Sequence, residues 1–168
     1  MRPQLSEKGY TDTGLNIINY KDDNIYPLLP LLSQEFPNWT MDKIKHYVKL
    51  VISKKNDVAG ILVAQNDALY NVGILIYTHQ TITSELLGNS NNKKFSNGIV
   101  VENLNTSSPI LQKQVFFILI ENIIKLAMKK KCDFVELPKL DESYDLIKKK
   151  YISKISSPND FRVFININ

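Results

Sequence analysis

The stretch from residue 98 to 138 narrows the possible folds more than any other. It opens on Gly98-Ile99-Val100-Val101, β-branched after the glycine and apolar on both faces, which is how a short buried strand reads. Ser107 and Ser108 are N-cap residue types, and Pro109 suits a first helical position, where its missing N–H costs nothing. Neither Gly nor Pro interrupts Ile110 to Lys131, so the spacing predicts a helix of about 20 residues, roughly 30 Å long. Phe134-Val135-Glu136-Leu137 reads as a second short strand, stopped by Pro138. Strand, capped helix and strand make a βαβ unit, expected to be parallel and right-handed. Such a unit leaves free N–H groups of a helix N-terminus at the C-terminal end of its first strand, where α/β folds hold anionic ligands.

The remaining chain supplies elements to either side of this unit. Residues 1–14, with Pro3, Gly9 and Gly14 among polar neighbours, read as a flexible tail, and residues 15–168 as a single domain. Leu15 to Tyr20 is a strand. A helix is expected from near Ile25, with Pro27 in its first turn, Pro30 keeping it short or distorted, and Pro37 ending it. Thr40 caps a second helix whose apolar side is Ile44, Tyr47, Val48, Val51 and Ile52. Asp57 to Ala64 and Tyr70 to His79 form an antiparallel hairpin turned at Asn66-Asp67, and residues 83–97 read as an exposed loop. Asp141 to Lys150 is a shorter helix and Phe161 to Ile165 a final strand. The expected fold is α/β of the α+β kind: a mixed sheet of about six strands, a central βαβ unit, and helices on both faces.

Composition bounds the function. A chain of 168 residues, 43% hydrophobic and 23% charged, holds one substantial core. The single cysteine, Cys132, rules out an internal disulfide and a cysteine cluster, and its place between a basic run and a strand reads as a buried, inert thiol. The two histidines have no ligand spacing, so no metal is expected. No apolar leader opens the chain and no apolar run is long enough to span a bilayer, so the expectation is no membrane and a cytoplasmic location. The net charge is +4, carried by lysine, with only Arg2 and Arg162 able to make bidentate base contacts. Lys129 to Lys131 and Lys148 to Lys150 fall at predicted helix C-termini, where cations complement the helix dipole. Both points argue against a nucleic-acid partner.

With this order of elements the chain resembles the GNAT superfamily of N-acetyltransferases from Leu15 to Ile167. The resemblance is carried by Val101-Glu102-Asn103-Leu104, by Leu119-Ile120 and Leu126-Ala127, and by Cys132-Asp133-Phe134-Val135-Glu136-Leu137. It implies acetyl-CoA (or another acyl-CoA) as co-substrate and a small-molecule or protein amine as acceptor. The two central strands would splay, and the pantetheine arm would pair with the backbone of the first, at Asn103, Leu104 and Asn105. The diphosphate would rest on the helix N-terminus, where Thr106, Ser107 and Ser108 offer hydroxyls that capping explains equally well. Glu102 is then the candidate general base, its pKa raised if the cleft partly buries it; the other reading is a glutamate facing solvent. His79, ending another predicted strand, is a candidate for the same cleft.

The chain departs from the family in two places. Where the family has Arg or Gln, then Gly, then Gly or Ala to cradle phosphate, this chain has Leu111, Gln114 and Phe116. No glycine follows Gly98. The tyrosine that many members use as general acid falls at Leu146. Tyr144 lies two residues away and about 200° around a helix, so Tyr144 and Tyr151 read as aromatic residues at the core edge. The alternative to an acyltransferase is therefore a GNAT-like binding module without catalysis.

Overall fold

The computed structural model describes residues 14–83, 95–138, 142–159 and 162–167. Among them the strands are β1 (Asn16–Asn19), β2 (Ala59–Gln65), β3 (Asn71–Thr83), β4 (Phe95–Thr106), β5 (Phe134–Leu137), β6 (Ile155–Asn159) and β7 (Arg162–Asn166). The helices are α1 (Leu29–Glu35), α2 (Met41–Ile52), α3 (Gln112–Lys129) and α4 (Asp145–Lys150). The strands form one sheet in the order β1-β2-β3-β4-β5-β7-β6, antiparallel throughout except for the β4–β5 pair. Residues 1–13, most of the expected tail, lie outside the described residues, as do 84–94 of the expected loop and Asp141.

Two cores sit on the two faces of this sheet. Leu62, Ala64, Leu75 and Tyr77 pack with Val115, Leu119, Ile120 and Ile123 of α3. The alternating residues Ile61, Val63, Ile74 and Ile76 pack with Leu31, Leu32, Ile44 and Val48 of α1 and α2. Period-two alternation explains the division, and because helices cover both faces the central strands are apolar at nearly every position. Each large side chain so buried contributes about 1.5–3 kcal/mol. Between the two central parallel strands, Gly98 on β4 lies opposite Phe134 on β5, and a Cβ at Gly98 would overlap the Phe134 ring. Among the described residues no helix is long and apolar enough to cross a membrane.

The expected elements are present, with differences that have local causes. Pro27 stands in a short 3₁₀ turn (Tyr26–Leu28) and Pro30 in the first turn of α1, so neither proline breaks a helix interior. Thr40 caps α2, its hydroxyl accepting from Lys43 N–H at 3.2 Å. The sheet has one strand beyond the six expected: β6 contains Pro158 and pairs with β7 alone, at the sheet edge, where proline is tolerated. The first central strand is much longer than its apolar run. Pairing with β3 carries the polar residues Asn103 and Asn105 into the ladder as well.

Candidate functional site

The site is built where β4 loses its parallel neighbour. Pairing with β5 runs from Gly98↔Phe134 to Val100↔Glu136 and stops, while β4 continues to Thr106 paired, among the described residues, only with β3. The cause is visible in the register. Ile76 faces Asn103 and Tyr77 faces Val101, so Glu102 is one residue too many, a β-bulge. A bulge bends its strand and increases the local twist. Beyond it β4 has an edge unpaired on the β5 side, and backbone groups on such an edge need a partner.

The bulge also aims side chains. Glu102 is exposed, and its Oε1 accepts from the Thr78 hydroxyl at 2.8 Å and from Gln80 Nε2 at 3.1 Å. The carboxylate is thus oriented by two donors on β3 rather than buried in a cleft, and it stands inside the strand rather than at its end. Asn103 points to α1, with Nδ2 donating to Glu35 Oε1 at 2.9 Å and the Tyr47 hydroxyl reaching its Oδ1 at 3.4 Å. Burial, then the Glu102 and Glu35 carboxylates, pushes the Tyr47 phenol above its ordinary pKa. Asn105 Nδ2 donates to the Leu31 carbonyl at 3.1 Å. Phe36, Trp39 and Tyr47 form an aromatic wall beside them, Phe36 stacked on Trp39 at 4.3 Å and both edge-on to Tyr47. Leu104 packs on the opposite face, against the α3 core.

The helix end differs from expectation. α3 begins at Gln112, with Leu111 in the N-cap place and no side-chain cap. Ser107 and Ser108 belong to the turn before it. Ser107 N–H continues the β3 pairing to Val72, the Thr106 hydroxyl donates to the same carbonyl, and Ser108 Oγ accepts from Leu111 N–H at 3.4 Å. Gln114 Oε1 is buried without a hydrogen-bond partner. Phe116 is buried against Tyr144, ring centres 5.7 Å apart, and Lys113 pairs with Asp145 at 3.1 Å, so the start of α3 is tied to the start of α4. His79 does not join the site. β3 runs past it, and Thr78 and Gln80 on either side are the residues that face Glu102, which leaves His79 on the other face. Cys132 is fully buried, and burial pushes its thiol up, which suits an inert residue.

Midway along α3, Glu121 accepts from the Tyr151 hydroxyl and pairs with Lys150, both at 2.8 Å. Burial and that hydrogen bond push the Tyr151 phenol well above the ordinary tyrosine value of 10.0. The fold therefore favours the protonated phenol. That stability is complete below the unfolded pKa and is lost as pH rises through the window above it. Thermal melts between about pH 9 and about pH 11 should show Tyr151→Phe losing less stability than the parent; equal losses would mean that the phenol does not titrate with unfolding.

No family model matches this chain, and no curated protein matches it by sequence. Solved structures do. An aminoglycoside 6'-N-acetyltransferase of Acinetobacter baumannii superposes with a TM-score of 0.60 at 13% identity, covering 83% of this chain and 88% of its own. A bacterial toxin gives 0.60 at 12%, covering 91% and 90%. A second 6'-N-acetyltransferase, solved with a CoA bisubstrate analogue, gives 0.58 at 15%, covering 81% and 85%. The fold is that of the GNAT acetyltransferases.

Glu35, Thr78 and Gln80 are the residues that sequence reasoning missed. Thr78 and Gln80 carried a signal, since two polar residues at i and i+2 interrupt one face of an otherwise apolar strand. Glu35 carried none, because its partner Asn103 is remote in the chain.

Proposed function

We propose that this protein is an acyl-CoA-dependent N-acyltransferase that transfers an acetyl group to a primary amine by direct attack on the thioester. One observation carries the reading: among the described residues β4 has no partner on its β5 side beyond Val100, and it leads on to the N-terminus of α3. An extended amide-containing arm fits such an edge as a strand would, through Asn103, Leu104 and Asn105. The unpaired N–H groups and positive dipole end at the start of α3, beside Ser107 and Ser108, suit a diphosphate. The co-substrate supplies an activated acyl group. Glu102, held by Thr78 and Gln80, takes the proton of the acceptor amine, directly or through a water it orients. Backbone N–H groups near Asn103 to Asn105 polarise the thioester carbonyl. The acceptor, a small-molecule or protein amine, approaches from the face that carries Glu35, Tyr47 and the aromatic wall, in the cytoplasm. The test is release of free CoA thiol from acetyl-CoA across a panel of primary amines. Binding of acetyl-CoA without release for any amine would leave the module.

The second reading, a GNAT-fold module without catalysis, is favoured by the Phe116–Tyr144 and Lys113–Asp145 contacts across the start of α3 and by the bulk of Gln114. Gln114→Gly with Phe116→Gly separates the two. Each glycine costs the helix about 1 kcal/mol relative to alanine, yet acetyl-CoA should bind more tightly if these side chains crowd the diphosphate. Unchanged or weaker binding to the folded double variant would put the cradle elsewhere.

A further inference from the structure

The two lysine runs lie at one end of the sheet, and a third, after α2 on the opposite face, lies at the same end. Strands β2, β4, β5 and β6 all point the same way: β2 and β4 are each antiparallel to β3, β4 is parallel to β5, and β5 and β6 are each antiparallel to β7. Helices α2, α3 and α4 end just before β2, β5 and β6. Their C-termini therefore converge on one end of the sheet, the end where those strands begin. The candidate acyl site lies at the other end. Lys54 and Lys55 follow α2, Lys129, Lys130 and Lys131 close α3, and Lys149 lies in the last turn of α4; all are exposed. Asp57 and Asp133 are interleaved with them, and Asp133 is turned to the Asn97 N–H at 3.0 Å. The helix dipole favours a cation in each last turn, but its reach ends there; it does not call for runs of two and three lysines.

Aliphatic side chains are exposed at the same end. Val58 precedes β2, Met128 sits in the last turn of α3, and Ile152 lies between α4 and β6, with 47%, 61% and 77% exposure. The one arginine among the described residues, Arg162, opens β7 at the opposite end, and no exposed aromatic side chain of the described residues is among them. Nucleic-acid surfaces draw on arginine and stacking aromatics. Lysines beside exposed aliphatics suit an anionic bilayer, which takes the charge at its headgroups and the apolar tips at the acyl boundary. We infer that this end of the domain is a docking surface for an anionic lipid bilayer, a contact with the membrane face that needs no spanning helix.

Sedimentation with vesicles of phosphatidylcholine alone, and of phosphatidylcholine mixed with phosphatidylglycerol, tests this on the full chain. Binding should be confined to the mixed vesicles and should weaken with salt. Lys129→Glu with Lys130→Glu should weaken it at least about tenfold, whereas the same charge change in the first half of α2, Lys43→Glu with Lys45→Glu, should leave it within about twofold of the parent. Ile152→Ser, which removes the apolar tip without adding charge, should weaken vesicle binding and leave any binding to single-stranded RNA unchanged. No binding to mixed vesicles, or equal losses from the two lysine pairs, would overturn the proposal. So would tight RNA binding with vesicle binding indifferent to Ile152→Ser, which would give the surface to nucleic acid.

Discussion

Glu102→Gln is expected to lower turnover by about 10²-fold or more, the usual contribution of a positioned general base. Its affinity for acetyl-CoA should stay within about twofold, because the substitution touches proton removal and not binding. The reason lies in the bulge. Thr78 and Gln80 both donate to Oε1 of Glu102, and a glutamine in its place keeps a carbonyl oxygen for those donors. The side chain should therefore hold its position while losing the capacity to accept a proton. Steady-state kinetics with a saturating amine, beside calorimetric titration of acetyl-CoA, separates the two quantities. Equal turnover in the variant would retire Glu102 as the base and leave the co-substrate site standing. A parallel loss of affinity would mean that the carboxylate helps to hold β4 in shape.

Phe134→Ala should be the most damaging single truncation for the fold, costing about 3–5 kcal/mol. At the slope usual for this size, that lowers the melting temperature by roughly 6–20 °C. Phe134 is fully buried, meets Phe164 edge-on at 5.4 Å, and covers the place where Gly98 lacks a side chain. The pair Gly98↔Phe134 begins the parallel ladder, so its loss removes the anchor from which β4 and β5 diverge. A shift of less than about 3 °C would show that the neighbouring side chains close the gap.

How much of this was legible in the sequence depends on the kind of signal. Ile99 to Val101, the α3 apolar residues and Phe134 to Leu137 were read correctly as strand, helix and strand because their apolar patterns reflect burial on both sides. The polar end of β4 was not, because its strand character comes from pairing with β3, a partner the local pattern does not name. β6 escaped because Ser-Ser-Pro-Asn carries turn residues, and only an edge position makes a strand of it. The start of α3 was placed too early. Ser107 and Ser108 have the right chemistry for a cap, but Ser107 is drawn into the sheet through Val72, which delays the helix to Gln112. Glu102 was singled out by its position in the strand, with a solvent-facing side chain as one of two readings; its two donors were not legible, since a bulge is set by register across strands.

Titration of the protein with acetyl-CoA, followed by thermal shift and calorimetry with the nucleotide portion alone as control, tests the central claim most directly. At a hundredfold excess over its dissociation constant the ligand should stabilise the fold by about 2.7 kcal/mol, a shift of roughly 5–11 °C. On the proposed reading, Gln114 and Phe116 in place of small residues should weaken binding by one or two hydrogen bonds at about 1 kcal/mol each without abolishing it. The account predicts a saturable shift with acetyl-CoA, larger than that with the nucleotide. Neither shift nor heat at about millimolar acetyl-CoA, a concentration that detects even complexes of about 4 kcal/mol, would contradict it and leave a GNAT fold that serves as a binding module.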